Sequence, residues 1–110
     1  SHCGASGMDK EFMRKIEALR EKLGFPFPVN SAYRCPEHPI EAIKRTPGSH
    51  STGHAMDIGV FGTTAYRLLE AALGAGFTGI GIAQKGTNRF IHLDDIEPKT
   101  DRPRPWIWSY

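Results

Sequence analysis

Apolar residues recur at helical spacing in two stretches of the chain. Between residues 9 and 23, Phe12, Ile16, Leu19 and Leu23 follow at intervals of four, three and four, which places them on one helical face. Asp9 is suited to cap this helix, with Glu11 in its first turn and Lys22 in its last, and Gly24 and Pro26 end it. Between residues 63 and 73, Ala65, Leu68, Leu69, Ala72 and Leu73 form a second buried stripe. Thr63 or Thr64 caps that helix, and Gly74 and Gly76 close it. Both stripes read as core.

Four short runs, at residues 29–33, 54–60, 79–83 and 89–93, carry strand character between Gly, Pro and Ser. Lys85, Gly86, Thr87 and Asn88 form a turn that joins the last two runs into a hairpin. Residues 36–47 read as a loop with a helical turn at 39–44. The order helix, strand, loop, strand, helix, hairpin predicts an α+β fold: an antiparallel sheet with helices packed on one face. Residues 1–8 form a flexible N-terminal segment or an appended end, and residues 9–110 one domain.

Composition narrows the function classes. The chain has 110 residues, 39% hydrophobic and 24% charged, within the range of one globular domain. A domain of this size buries roughly two-thirds of its unfolded surface, so its stability margin is thin and a staple would help. Fourteen Lys and Arg against twelve Asp and Glu give +2. That balance, without a basic stripe, argues against nucleic acid as a partner. Arg14, Lys15, Arg20 and Lys22, and the late Arg102 and Arg104, read as solvated charge. No apolar run reaches the ~18 residues of a membrane span. No signal peptide is visible at the start. Cys3 and Cys35 permit one disulfide or two free thiols, and no C-x-x-C pair supports a cysteine zinc site.

The candidate chemistry lies with the histidines. His50 and Asp57 stand seven apart, with Gly53 and Ala55 between them, where a loop enters a strand. With His92 on the hairpin they offer two imidazoles and a carboxylate, a three-ligand set that leaves a fourth position for water. Isolated histidines are more often surface or satisfied core groups, so spacing alone leaves both readings open. The glycines of residues 74–81 follow a helix and not a strand, which argues against a phosphate-binding loop.

His50, Gly53, Ala55 and Asp57 fit H-x-x-G-x-A-x-D, which resembles the core of the zinc signature of the D-Ala-D-Ala peptidases. That group also holds L-Ala-D-Glu endolysins and the hedgehog signalling domain. Three further segments fall in the family's order: Ser31-Ala32-Tyr33-Arg34, Gly79-Ile80-Gly81-Ile82 and Phe90-Ile91-His92-Leu93-Asp94. The closing run from Arg104 to Tyr110 is similar to the tails of short phage and prophage members. The resemblance spans residues 9 to 110 and implies a hedgehog/D,D-peptidase-like fold with Zn2+ on His50, Asp57 and His92. Distances of about 2.0–2.2 Å are expected for such ligands. Arg34 matches the arginine that binds substrate and stabilises the oxyanion, and Tyr33, on the opposite strand face, packs.

The sequence departs from the family pattern in places. Gly48 replaces a serine, leaving Ser49 or Ser51 to supply its hydrogen bond, and His54 precedes Ala55 as an extra contact or an outward-facing residue. Where many members carry an acidic general base, three residues before the last histidine, this chain has Arg89. Asp94, two residues after His92, shares its strand face at about 6.6 Å along the chain, whereas Asp95 points the other way. Asp94 is therefore the candidate base or a group that orients His92. Glu37, His38 and Glu41 are alternatives on the loop after Arg34. Ser51, His38 and Arg34 are the expected substrate contacts. One of Trp106 and Trp108 packs on the sheet while the other lines the cleft rim.

The resemblance implies a monomeric zinc metallopeptidase that hydrolyses peptidoglycan stem peptides in the periplasm or cell wall. It would act as a D,D-carboxypeptidase or an L-Ala-D-Glu-type endopeptidase, with His38 or the base protonating the leaving amine. The alternative is a zinc-bearing binding or structural module without catalysis, which Arg89 favours.

Overall fold

The computed structural model describes residues 8–31 and 53–110. The elements in chain order are α1 (Lys10–Leu23), β1 (Val29–Ser31), β2 (Ala55–Ile58), α2 (Gly62–Gly74), β3 (Gly79–Ala83), β4 (Phe90–Asp94) and β5 (Trp106–Ser109). The cysteines Cys3 and Cys35, the loop at 36–47 and the candidates Tyr33, Arg34, Glu37, His38, Glu41, His50 and Ser51 lie outside the described residues.

α1 forms where local signals agree. The Asp9 carboxylate accepts the Phe12 N–H at 2.9 Å, and Gly24, at φ 75°, turns the chain out of the helix while its N–H reaches the Arg20 carbonyl. Phe12, Ile16 and Leu19 are buried, and Leu23 packs at the margin of the core. α2 departs from the expected cap. It starts at Gly62, with Phe61 as N-cap and no capping side-chain hydrogen bond. Ala65, Leu68, Ala71 and Ala72 are its buried residues. Leu73, expected in the core, is 62% exposed. At 3.6 residues per turn it lies about 130° round the helix from the centre of the buried stripe.

The sheet has the order β1-β2-β4-β3-β5. β1 with β2, β2 with β4 and β3 with β4 are antiparallel, so the expected hairpin is present. β5 corrects the all-antiparallel expectation, because it runs parallel to β3. β4 already lies between β2 and β3, so the one free edge of β3 receives the returning chain. Residues 95–105 cover that return, and Lys99 and Arg102 exchange backbone hydrogen bonds within it at 2.9 and 3.0 Å.

Strand alternation divides the sheet into two chemistries. Met56 and Ile58 of β2, Ile80 of β3, and Ile91 and Leu93 of β4 join Phe12, Ile16, Leu19, Ala65, Leu68 and Ala72 in one apolar cluster. Phe12 also meets Phe77 edge-on at 6.0 Å. The intervening positions hold Ala55 and Asp57, Gly79 and Gly81, and His92 and Asp94. Among the described residues no helix is long and apolar enough to cross a membrane.

This division yields a paired stability test. Leu68→Ala removes a fully buried side chain and should lower the unfolding free energy by about 2–5 kcal/mol. Leu73→Ala should change it by less than about 0.5 kcal/mol. Urea denaturation of both variants measures the contrast.

Candidate functional site

The registers assemble the site before any side chain is considered. Asp57 pairs with His92, His92 with Gly81, and Gly81 with Trp108, a single row across β2, β4, β3 and β5. The adjacent row runs Ala55, Asp94, Gly79 and Trp106. The two glycines leave the space that their neighbours fill. A Cβ on Gly79 would overlap the Asp94 carboxylate, and one on Gly81 would come within 2.6 Å of the Trp108 indole nitrogen.

His92 lies between two carboxylates. Its Nε2 is 2.7 Å from Asp94 Oδ2 and its Nδ1 is 3.0 Å from Asp57 Oδ1. All three residues are buried, Asp94 completely. Asp94 also receives a forked pair from Arg104, Nε to Oδ1 at 2.9 Å and an Nη to Oδ2 at 2.7 Å. The Ile96 N–H makes a longer contact to Oδ1 at 3.4 Å. The Trp108 ring stands 4.9 Å from the His92 ring.

These contacts set the charge states. Burial raises the Asp94 carboxyl's pKa, but the hydrogen bonds from His92 and Arg104 outweigh it and bring the group down to about 2. For His92, burial lowers the pKa, and the hydrogen bonds to Asp57 and Asp94 overcome that and raise it. Asp94 is thus an ionised acceptor with both oxygens engaged, and the proton shared with His92 resides on Nε2.

Asp57 Oδ1 and His92 Nδ1 suit a metal. Two ligands of one tetrahedral zinc, each at about 2.0–2.2 Å, stand about 3.3–3.6 Å apart, close to the separation of these atoms. Histidine ligands also commonly donate their other N–H to a carboxylate, as Nε2 does to Asp94. Among the described residues no third His, Cys, Asp or Glu completes a metal-holding group. The remaining expected ligand, His50, and the substrate candidates Arg34, Ser51 and His38 fall outside them.

The other candidates sort by strand face. His54 meets Asp95 through Nδ1 at 2.8 Å, and Lys15 of α1 reaches the same carboxylate at 2.9 Å, so Asp95 does point away from His92. The Arg89 guanidinium carbon lies 4.1 Å from the centre of the Phe61 ring. Trp106 is 55% exposed.

Arg104 is the residue that sequence reasoning missed. Read as solvated charge, it has a side chain only 4% exposed, paired with Asp94. A usable signal existed: an aspartate on a buried strand face requires a cation. Nothing local pointed to the residue ten positions later.

The family model described as Peptidase M15 matches residues 1–94. The match reaches Asp94 and stops short of Arg104 and β5. Comparison with curated proteins and with solved structures gave no match.

The depressed Asp94 carboxyl has a measurable consequence. A group whose pKa falls on folding stabilises the native state above its unfolded value, and that contribution fades as pH drops through the folded value. Asp94 therefore contributes about 2 kcal/mol near neutral pH, lost as pH falls from roughly 4 toward 2. A 13C NMR titration of the Asp94 carboxyl in the folded protein should give a midpoint near 2. A midpoint near 4 would contradict the paired geometry.

Proposed function

The chain belongs to the peptidase M15 family, and we propose that it is a zinc-dependent peptidase cleaving amide bonds in bacterial peptidoglycan stem peptides. The observation that carries this reading is the convergence of His92 Nδ1 and Asp57 Oδ1 at 3.0 Å, with the opposite ring nitrogen held by Asp94. His50, seven residues before Asp57, is the third ligand. Bound there, zinc would supply a Lewis acid for the scissile carbonyl and lower the pKa of a water.

The chain's own residues do the rest. Asp94 holds the His92 proton on Nε2. With both oxygens occupied it serves as an orienting group and not as the general base. The proton-accepting carboxylate is then Glu37 or Glu41, on the segment after Arg34. In this reading Arg34 binds the substrate and stabilises the developing oxyanion, Ser51 and His38 contact the peptide, and His38 or the base returns a proton to the leaving amine.

The wider reading is a monomeric peptidase domain over residues 9–110, acting in the periplasm or cell wall as a short phage- or prophage-type member. Its bond is that of a D,D-carboxypeptidase or an L-Ala-D-Glu endopeptidase. A hedgehog/D,D-peptidase-like arrangement, with both helices on the face away from His92, agrees with their shared apolar cluster. Arg89 favours one second reading, a zinc-bearing module without catalysis, because it lies over Phe61 where many relatives of this type carry an acid.

Zinc content and muropeptide hydrolysis test the proposal together. The wild type should bind one zinc and release stem-peptide fragments, and Asp57→Ala or His50→Ala should lower turnover more than about 100-fold, beyond what loss of an orienting partner costs. Zinc without turnover would favour the module. Neither zinc nor turnover would refute both readings.

A further inference from the structure

Arg104 sits at the end of the return from β4 to β5, a segment fixed on one side by the paired Lys99 and Arg102 and on the other by β5 alongside β3. Its guanidinium meets Asp94 side-on, one nitrogen to each oxygen, at 2.9 and 2.7 Å. Such a fork fixes the plane of the carboxylate, which a single-point cation does not. The glycine beneath offers no side chain to hold Asp94 in place, since its Cα hydrogen faces the space the carboxylate fills.

The fixed plane has a consequence one atom further on. Oδ2 accepts from His92 Nε2 at 2.7 Å, and an ionised carboxylate cannot donate, so Nε2 carries a proton. Nδ1 faces Asp57 Oδ1 at 3.0 Å, and a proton shared there would leave when a metal binds between the two atoms. Trp108 backs both partners, its ring 4.9 Å from the His92 ring and 5.3 Å from the Arg104 guanidinium carbon.

We propose that Arg104 is a positioning residue that clamps the Asp94 carboxylate, so that His92 keeps its proton on Nε2 and presents Nδ1 beside Asp57 as a metal donor. The metal half of this inference rests on the zinc reading above, whereas the clamp on the His92 proton does not.

Two measurements on the full chain test it. In the metal-free protein, 1H NMR should show a His92 Nε2–H signal protected from exchange with water, with the Trp108 indole N–H as a monitor of the fold. By chelator competition with zinc alone, Arg104→Gln should bind the ion about 10–100-fold more weakly, the range expected when a partner behind a ligand is lost, and should lose the Nε2–H signal. Arg104→Lys keeps the charge without the fork and should fall between the two. An Arg104→Gln protein that keeps the signal and binds zinc within twofold of the wild type overturns the proposal. Should Arg104→Gln fail to fold, Arg104→Lys decides: weaker binding and faster Nε2–H exchange support the clamp, and unchanged values overturn it. A wild type that binds no zinc, but whose Nε2–H signal depends on Arg104, would refute the zinc reading and leave the clamp standing.

Discussion

Asp57, His92, Asp94 and Arg104 form a hydrogen-bonded chain laid across the sheet and shut away from water, with Asp94 fully buried and His92 2% exposed. Burying such groups is costly unless each finds a partner in good geometry, and removing one member of a buried pair typically costs about 3–5 kcal/mol. The other features of this side of the sheet follow from meeting that requirement. The β2–β4 register sets Asp57 opposite His92, the glycines of β3 leave room for Asp94 and Trp108, and β5 closes the edge where Arg104 enters.

One strand serves both stability and chemistry. Ile91 and Leu93 of β4 are core, while His92 and Asp94, alternating with them, belong to the proposed site, so a one-residue slip would exchange the two sets. The aligned pairs from β2 to β4 and from β3 to β4 hold that register on both sides. The proposed site groups therefore rest on the most constrained strand of the sheet, where a rotamer can be fixed by packing instead of by a loop. The zinc site proposed for this Peptidase M15 chain would give this rigidity a purpose, since a metal ligand is best held in place before the metal arrives.

What the sequence made legible was local. The caps of α1, the limits of β3, the hairpin turn and the shared face of His92 and Asp94 all follow from spacings of a few residues. What it concealed was set by distant partners. Leu73 looked apolar and helical, but packing turned the α2 stripe toward Ala71. β5 runs parallel to β3 because of which edge remained free, a property of the assembled sheet and not of its own residues. Arg104 stands among prolines and exposed neighbours, and its burial depends on a carboxylate ten residues earlier. Asp57 and His92 were legible as donor types, whereas their meeting at 3.0 Å required the register between β2 and β4.

The proposed zinc site requires that Nδ1, and not Nε2, of His92 face the metal. A crystal structure of the zinc-loaded protein, with the ion located by anomalous scattering at the zinc edge, addresses this directly. The arrangement described here predicts a peak bonded to His92 Nδ1 and an Asp57 oxygen, with Nε2 still hydrogen-bonded to Asp94 and Arg104 still forked onto that carboxylate. Zinc bonded to Nε2, or to Asp94 released from Arg104, would contradict it.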